Sequence, residues 1–307
     1  MIIITGATGH IGNNVVRLLL KSRKDIKLLL REDSSATKDL DVSKAVGNLL
    51  DIAFLKEHIN EGDTLIHLAG YIDLHNKNYN LSYESNVLMT QYLADIAVEK
   101  NLRFIYTSSS DVLVKKESDY VPSDNHNRYY AKTKGIATLY VKSLIEKGLN
   151  GIILYPTAIV GTNDYKRSAA GKQLYYVHTH KVLPYIKGAY NFIDVLDVSR
   201  AIISAINIDY RGDIILSGHP FTIKELYQEI SSVTNKKKRL VYIPRWVAKV
   251  GSIFYKRYNA TMIDVVSQNV NFSNEKMLKY LLDDITPFKE TILNTIAFYN
   301  QLEEAKK

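Results

Sequence analysis

Apolar and polar positions alternate in blocks through the first half of the chain, where short apolar runs are separated by longer amphipathic stretches. The apolar runs are too short for helices, so we predict buried strands at Ile2–Thr5, Ile26–Leu30, Thr64–Leu68, Leu102–Thr107 and Gly151–Tyr155. The amphipathic stretches predict helices at Gly12–Lys21, Ile52–Ile59, Leu81–Lys100 and Arg128–Lys147. Strand followed by helix, repeated, is typical of an α/β fold with a doubly wound parallel sheet covered by helices on both faces.

The second half of the chain is less regular and predicts a smaller, mixed C-terminal lobe. An apolar segment lies at Asn191–Val198. We predict helices at Ser199–Ile208, Thr222–Val233 and Pro287–Tyr299. The change of pattern after Pro156 places a first domain at residues 1–156 and the second lobe at residues 157–307. We expect the segment near 190–208 and the terminal helix to return to the core of the first domain.

The composition fits a globular protein: of 307 residues, 46% are hydrophobic and 23% are charged, which excludes a disordered or fibrous chain. Cysteine is absent, so disulfides, thiol catalysis and cysteine-ligated zinc are excluded, and we expect a cytoplasmic protein. No apolar run approaches the roughly 20 residues of a membrane-spanning helix. Met1 runs directly into a strand and leaves no room for a signal peptide, so we expect a complete, soluble chain.

The net charge of +8 favours anionic partners, but the distribution of the basic residues argues against nucleic acid. The dense basic cluster Lys236–Arg239 is interpreted as a solvated connector. The stretch Pro244–Tyr258 mixes aromatic and basic residues, and we favour a substrate-lobe helix with its apolar side turned to the pocket over membrane contact. His178 and His180 are two residues apart on what would be one side of a strand, but no third ligand is evident, so we expect no metal site.

A glycine triplet follows the first predicted strand directly and opens the next helix. Gly6 permits a tight turn, Gly9 lets backbone amides approach a pyrophosphate, and Gly12 allows the helix to pack closely on the strand. The helix N-terminus supplies the positive end of the helix dipole. In this strand–turn–helix context the triplet predicts a dinucleotide-binding Rossmann domain.

The end of the second predicted strand indicates which dinucleotide is preferred. In such a site an acid there binds the ribose 2′-OH, whereas a cation accommodates a 2′-phosphate. Arg31 stands at this position, so we predict a preference for NADP(H). Glu32 and Asp33 follow at once, and a shift of one residue would reverse the inference, which leaves NAD(H) possible.

Tyr130 and Lys134 are four residues apart on a predicted helix and therefore share one face. A free phenol has a pKa near 10, so a tyrosine that exchanges a proton near neutrality needs a cation nearby. Lys134 is placed to provide it. The hydroxyl cluster Thr107–Ser110 follows a central strand at its carboxyl end, where ligands of open α/β sheets bind. Together these residues predict an acid–base site.

These motifs resemble those of the extended short-chain dehydrogenase/reductases, also called the NAD-dependent epimerase/dehydratase family, over nearly the whole chain. Arg31, the segment Lys181–Asp197 and the terminal helix are most similar to the dihydroflavonol reductase-like branch. The resemblance implies catalytic roles for Ser109, Tyr130 and Lys134. It also implies cofactor contacts from Thr5, Gly6, Thr8, Gly9, His10, Ile11, Gly12, Arg31, Asp51, Ile52, Leu68, Ala69, Gly70, Asn86, Thr107, Tyr130, Lys134, Tyr155, Pro156, Thr157 and Ala158. Tyr155 stands where the family usually has arginine.

The branch implies an NADP(H)-dependent oxidoreductase that reduces a ketone or aldehyde carbonyl of a small organic substrate. The cofactor would give hydride, Tyr130 would donate the proton, Lys134 would lower the phenol pKa and hold the nicotinamide ribose, and Ser109 would orient the carbonyl oxygen. Dehydratases of the family have an Asp-Glu pair where this chain has Ser110 and Asp111, which argues against dehydration. A nucleotide-sugar epimerase with tightly bound NAD and a non-catalytic dinucleotide sensor remain the alternatives. We expect a monomer or a homodimer.

Overall fold

The computed structural model of the protein describes residues 1–22, 25–73, 75–254, 263, 266–267 and 271–305. The strands are β1 Ile2–Thr5, β2 Ile26–Leu30, β3 Ser43–Val46, β4 Thr64–His67, β5 Arg103–Thr107, β6 Leu113–Lys116, β7 Asp119–Pro122, β8 Gly151–Pro156, β9 Ala158–Val160, β10 Val182–Tyr185, β11 Ala189–Asp194, β12 Gly212–Leu216, β13 His219–Thr222 and β14 Arg239–Tyr242.

The helices follow the same chain order. They are α1 His10–Leu19, α2 Ile52–His58, α3 Tyr79–Tyr83, α4 Met89–Glu99, α5 Tyr129–Glu146, α6 Ala169–Thr179, α7 Val195–Ser204, α8 Ile223–Val233, α9 Arg245–Phe254, α10 Glu275–Tyr280 and α11 Phe288–Glu304. A π-helical turn at Glu84–Leu88 joins α3 to α4, and a 3₁₀ turn at Ser110–Val112 follows β5. No helix in the described ranges is both long enough and apolar enough to cross a bilayer.

The chain divides into two compact units. The first comprises Met1–Pro156, Val198–Leu216 and Glu275–Asp283. It contains a seven-stranded sheet of order β12-β8-β5-β4-β1-β2-β3, in which every neighbouring pair is parallel. Helices flank this sheet, so the predicted α/β class with a doubly wound parallel sheet is confirmed.

The five predicted strands are confirmed, and each of their ends lies within one residue of its predicted position. They are easy to predict because they are buried on both faces, as β5 is along its whole length. Two strands of the sheet were missed. The edge strand β3 is half-buried or exposed throughout, so it lacks a continuous apolar run. The strand β12 begins with Gly212 and Asp213 and has only a short apolar stretch.

One core cluster of the first unit lies on the face of the sheet covered by α2, α4 and α5. It is built from buried aliphatic and aromatic side chains of the strands and these helices, among them Leu55, Leu93, Phe104, Tyr106, Val141 and Ile153. The predicted helix Leu81–Lys100 is divided by the π-helical turn. Such a turn inserts an extra residue without changing the hydrophobic period enough to be recognised in the sequence.

The second unit comprises Thr157–Asp197, Ser217–Asn274 and Asp284–Lys307. It holds a three-stranded mixed sheet of order β13-β11-β9 and the parallel pair β10-β14, as expected for a smaller mixed lobe. Helices α6, α8 and α11 surround a core that includes Leu174, Leu226, Phe288 and Ile292. The helix predicted from Ser199 begins earlier, at Val195, because β11 ends directly before it.

Two further expectations concern surface segments of the second unit. His178 and His180 lie at the end of α6, so the strand geometry considered for them is wrong. Within the described ranges no group of three or more potential ligand side chains is placed to hold a metal ion. In α9, Trp246 is 72% exposed, so the expectation that the apolar side turns to a pocket is wrong for this residue. The remainder of the stretch, residues 255–258, lies outside the described residues.

Candidate active site

The glycine turn joins β1 to α1 through contacts that leave no room for side chains. Gly6 has a φ of +79°, and a Cβ atom there would lie 2.5 Å from the backbone nitrogen of Ala69. The amide of Gly9 donates to the carbonyl of Gly6 at 2.9 Å, which closes the turn. A Cβ atom on Gly12 would overlap the same carbonyl. Helix α1 therefore begins directly after the turn. Its N-cap residue is Gly9, which has no side chain that could accept hydrogen bonds from the first amides of the helix.

The residue before this turn is tied to the neighbouring strand by a buried histidine. The hydroxyl of Thr5 lies 2.8 Å from Nδ1 of His67, and Nε2 of His67 lies 2.9 Å from the hydroxyl of Thr90. Thr90 donates its own proton to the carbonyl of Asn86, so it accepts from Nε2–H, and Nδ1 accepts from Thr5. Burial keeps the pKa of His67 well below its usual value, with the charge of Lys134 as a second cause. The imidazole is therefore neutral.

Two charged side chains after β2, Arg31 and Asp33, differ in their contacts with the rest of the protein. Arg31 is exposed and has no hydrogen-bond or ion-pair partner among the residues that the structure describes. Asp33 instead accepts from the Thr37 hydroxyl at 2.6 Å and from Lys44 Nζ at 3.1 Å. The Thr37 hydrogen bond, followed by that of Lys44, lowers the pKa of Asp33. Arg31 is thus a cation available to a ligand at the end of β2, where a dinucleotide ribose would be read, and the exposed Glu32 next to it also has no partner in the described part of the chain.

Three candidate catalytic side chains lie at the carboxyl end of β5 and on α5. Ser109 caps the 3₁₀ turn that follows β5, where its hydroxyl accepts from the amide of Asp111 at 3.2 Å. Tyr130 and Lys134 are both buried, at 9% and 4% exposure. A spacing of four residues places them on one face of α5, as the sequence predicts.

The electrostatic surroundings keep Tyr130 protonated. Burial raises its pKa to about 12, and the negative charge of Asp111 adds to this rise. A hydrogen bond with Ser109 and the charge of Arg128 act in the opposite direction. Asp111 itself is bound to Arg128 at 2.8 Å. At neutral pH the phenol is therefore a proton donor with the Ser109 hydroxyl beside it.

Lys134 lies on α5, and its side chain lies close to the turn after β4. Its Nζ donates to the Thr107 carbonyl at 2.9 Å, and a Cβ atom on Gly70 would lie 3.4 Å from Nζ. Burial lowers its pKa to about 7, so the side chain titrates near neutrality. The adjacent Thr107 hydroxyl is buried and has no hydrogen-bond partner within the described part of the chain. The Thr107 hydroxyl is therefore a buried polar group beside Lys134 whose hydrogen-bonding capacity the described residues do not use.

Asn86 links the turn after β4 to α5. Its amide oxygen accepts from the Tyr71 amide at 2.8 Å, while its amide nitrogen donates to the Tyr71 carbonyl at 2.9 Å and to the Thr133 hydroxyl at 3.0 Å. The side chain is wholly buried, and both of its polar ends are occupied by the protein. The geometry therefore supports a positioning role for Asn86, through the turn that contains Gly70.

The other residues implied by the resemblance occupy several places. Thr8, His10 and Ile11 belong to the glycine turn and the start of α1. Asp51 caps α2, where it accepts from the Ala53 amide at 2.9 Å, and Ile52 is the first residue of that helix. Leu68 and Ala69 follow β4. Tyr155 and Pro156 end β8, and Thr157 and Ala158 belong to the second unit.

Sequence reasoning did not assign supporting roles to the buried side chains around this site. His67, Thr90 and Tyr106 carry polar atoms on elements that otherwise form the apolar core. The one available signal was a polar or amphipathic residue within an apolar run, such as His67 at the end of β4. The pairing of Asp111 with Arg128 was also missed, since the two residues are distant in sequence.

The residues fit a nicotinamide dinucleotide. A glycine cradle that a Cβ atom would fill, uncapped amides at the start of α1 and the partnerless Thr107 hydroxyl are suited to a pyrophosphate and a ribose. The model of the NAD-dependent epimerase/dehydratase family matches residues 2–215. The chain belongs to this family, whose members are oxidoreductase-type enzymes of the extended short-chain dehydrogenase/reductase class.

In curated relatives about a quarter of the aligned residues are identical to those of this chain. Sterol demethylase protein B of Methylococcus capsulatus is 26% identical over 252 residues, which cover 79% of this chain and 77% of the relative. A Synechocystis protein provisionally named dihydroflavonol 4-reductase is 26% identical over 259 residues, which cover 80% of this chain and 75% of the relative.

Solved structures share the fold over nearly the whole chain. The crystal structure of gox2253 has a TM-score of 0.82 at 24% identity and covers 98% of both chains. MoeE5 in complex with UDP-glucose and NAD has a TM-score of 0.74 at 18% identity and covers 98% of each.

Proposed function

We propose that the protein is an NADP(H)-dependent reductase that converts the carbonyl group of a small organic substrate to an alcohol. The observation that carries this proposal is the buried pair on α5: a protonated phenol, Tyr130, one helical turn from the amine of Lys134, with the Ser109 hydroxyl at the phenol. A proton donor held in this way is suited to an oxygen atom that gains negative charge during reduction.

Each side chain contributes a separate part of the reaction. The bound cofactor supplies the hydride for the carbonyl carbon. Ser109 donates a hydrogen bond that orients the carbonyl oxygen towards Tyr130. Tyr130 transfers its phenolic proton to that oxygen, and the ammonium of Lys134 stabilises the phenolate that remains. Thr107, Gly70 and Lys134 would contact the nicotinamide ribose, and the glycine turn would hold the pyrophosphate.

The cofactor preference rests on the end of β2. Arg31 is exposed and free, whereas Asp33 is occupied by Thr37 and Lys44. A guanidinium group binds a phosphate through charge-assisted hydrogen bonds, while a carboxylate would repel it. These contacts favour a 2′-phosphate, whereas MoeE5 was solved with NAD.

Asp111 supports reduction over dehydration. An elimination needs a carboxylate that is free to exchange a proton with the substrate. The carboxylate of Asp111 is instead bound to Arg128 at 2.8 Å, and the preceding residue is Ser110, which has no acid group.

A nucleotide-sugar epimerase is the second candidate, because MoeE5, which shares the fold, was solved with UDP-glucose and NAD. Thermal stabilisation separates the two functions. We expect NADPH to raise the melting temperature more than NADH does, with no further increase from UDP-glucose or UDP-N-acetylglucosamine. A strong response to a nucleotide sugar with NAD would favour the epimerase.

Tyr130→Phe tests catalysis directly. We expect it to lower the rate of NADPH oxidation with a panel of aldehydes and aryl ketones by on the order of 10²–10⁴-fold, because the proton donor is lost. NADPH affinity, measured by fluorescence, should change little. Tyr140→Phe is a matched control, since it deletes a phenol hydroxyl from the same helix whose partner is Asp95. Unchanged turnover in Tyr130→Phe would remove this residue from the mechanism, and binding without turnover in the parent protein would favour a sensor.

A further inference from the structure

The ammonium group of Lys134 is buried without a counterion. Among the described residues no carboxylate lies within ion-pair distance of its Nζ atom, and desolvation is the cause that lowers its pKa. A buried charge without a partner is costly, yet the proposed reaction needs this group as a cation. Something in its surroundings must therefore favour the charged form and fix its position.

Within the described part of the chain, both of the acceptors that Lys134 contacts belong to strand β5. The backbone carbonyl of Thr107 lies 2.9 Å from Nζ, and the hydroxyl of Tyr106 accepts from the same atom at 3.4 Å. The ammonium also lies 4.7 Å from the centroid of the Tyr106 ring. A cation near an aromatic face is stabilised by the ring quadrupole, and more strongly when water is excluded.

We propose that Tyr106 is a positioning residue that holds Lys134 as a cation, one helical turn from Tyr130, through its hydroxyl oxygen and the face of its ring. This inference rests on the proposed function, because it deepens the account of the same site. Tyr106 itself does not touch the reacting atoms in this scheme. It acts through Lys134.

The surroundings of Tyr106 fix its ring. Tyr106 is wholly buried and stacks on Phe104 at 6.4 Å and 4°, and on His67 at 5.5 Å and 17°. His67 is in turn held by Thr5 and Thr90. A ring packed in this way loses little further entropy when its face meets the ammonium, so the contact is preorganised.

The hydrogen bonding of the Tyr106 hydroxyl supports the same role. Burial raises the pKa of Tyr106, so the phenol is neutral, and it interacts with the hydroxyls of Thr138, Thr90 and Ser108. Thr138 donates to the carbonyl of Lys134 at 2.7 Å and accepts from the Ser108 hydroxyl at 2.6 Å, which leaves one lone pair of its oxygen to accept from Tyr106. With its proton directed to a neighbouring hydroxyl, the Tyr106 oxygen presents a lone pair to Nζ.

Tyr106→Phe separates the hydroxyl from the ring. The variant retains the stacking and the aromatic face, and Phe104 two residues earlier shows that this strand face accommodates phenylalanine. It leaves the Thr107 carbonyl as the remaining acceptor for Lys134. Loss of one hydrogen bond to a charged group corresponds to about one pKa unit, so Lys134 should titrate about one unit lower in the variant.

The experiment follows the lysine titration by ¹³C NMR in protein labelled at the lysine ε-carbon, without cofactor, and assigns Lys134 by the signal missing in Lys134→Met. We expect a lower midpoint in Tyr106→Phe and no change in the control Tyr140→Phe. An unchanged midpoint in Tyr106→Phe, or an equal shift in Tyr140→Phe, would overturn the proposal.

A kinetic readout tests the consequence for catalysis. If Lys134 titrates near pH 7 in the parent protein and about one unit lower in Tyr106→Phe, the charged fraction at pH 7 falls about fivefold, and kcat should fall with it. Activity should recover as the pH is lowered, whereas a merely structural defect would lower kcat at every pH. The NMR titration needs no substrate, so it decides the role of Tyr106 even if no carbonyl compound is reduced and the proposed function fails.

Discussion

Replacing Lys134 by methionine should stabilise the protein while it abolishes activity. Methionine has a similar length and fills the same buried space without a charge. In the folded protein burial lowers the pKa of Lys134 from 10.5 to about 7. Between these two values the unfolded chain binds more protons than the folded one, so the lysine destabilises the fold there and does so less as the pH rises.

The expected magnitude follows from this difference. The difference between the pKa of Lys134 in the folded and the unfolded state lowers the free energy of unfolding by about 4 kcal/mol at about pH 7. At about pH 9.5 it lowers it by about 1 kcal/mol. The hydrogen bond from Lys134 to the Thr107 carbonyl offsets about 1 kcal/mol. Lys134→Met should therefore exceed the parent protein in free energy of unfolding by about 3 kcal/mol at pH 7 and by nearly nothing at pH 9.5.

Urea unfolding followed by far-ultraviolet circular dichroism measures this difference. Tryptophan fluorescence is unsuitable, because the single tryptophan, Trp246, lies in the second unit, whereas Lys134 lies in the first. The difference between the two proteins at each pH isolates Lys134 from the other titrating groups. A methionine variant that is less stable at pH 7, or a stability difference that does not change with pH, would refute the reasoning that the ammonium is desolvated.

Two further predictions concern the cofactor. Arg31→Ala should weaken NADPH binding about tenfold or more, because a charge-assisted contact with the 2′-phosphate is lost, and should leave the NADH dissociation constant nearly unchanged. Lys38→Ala removes an exposed lysine nearby in sequence and is the control. Equal losses of affinity for both dinucleotides would contradict the assignment. Gly12→Ala should abolish binding of both dinucleotides and lower the melting temperature, since its Cβ atom overlaps the Gly6 carbonyl; an alanine variant that binds normally would show that the turn is not the cradle.

Much of the fold could be predicted because burial leaves a direct mark on the sequence. Strands β1, β2, β4, β5 and β8 are covered on both faces, so each is a mostly apolar run. The edge strand β3 could not be predicted, because among the described residues it pairs with β2 alone and its side chains stay half-buried or exposed. Register and strand order are set by contacts between distant segments, which no local pattern encodes.

The candidate site divides in the same way. The sequence by itself determined that Tyr130 and Lys134 share a helix face and that glycines stand where a helix meets a strand, because both follow from local spacing. Only the tertiary structure decided that Asp111 is occupied by Arg128 and that Tyr106 lies against the lysine. The charge state of Lys134 is also tertiary, because desolvation depends on which segments exclude water from its amine.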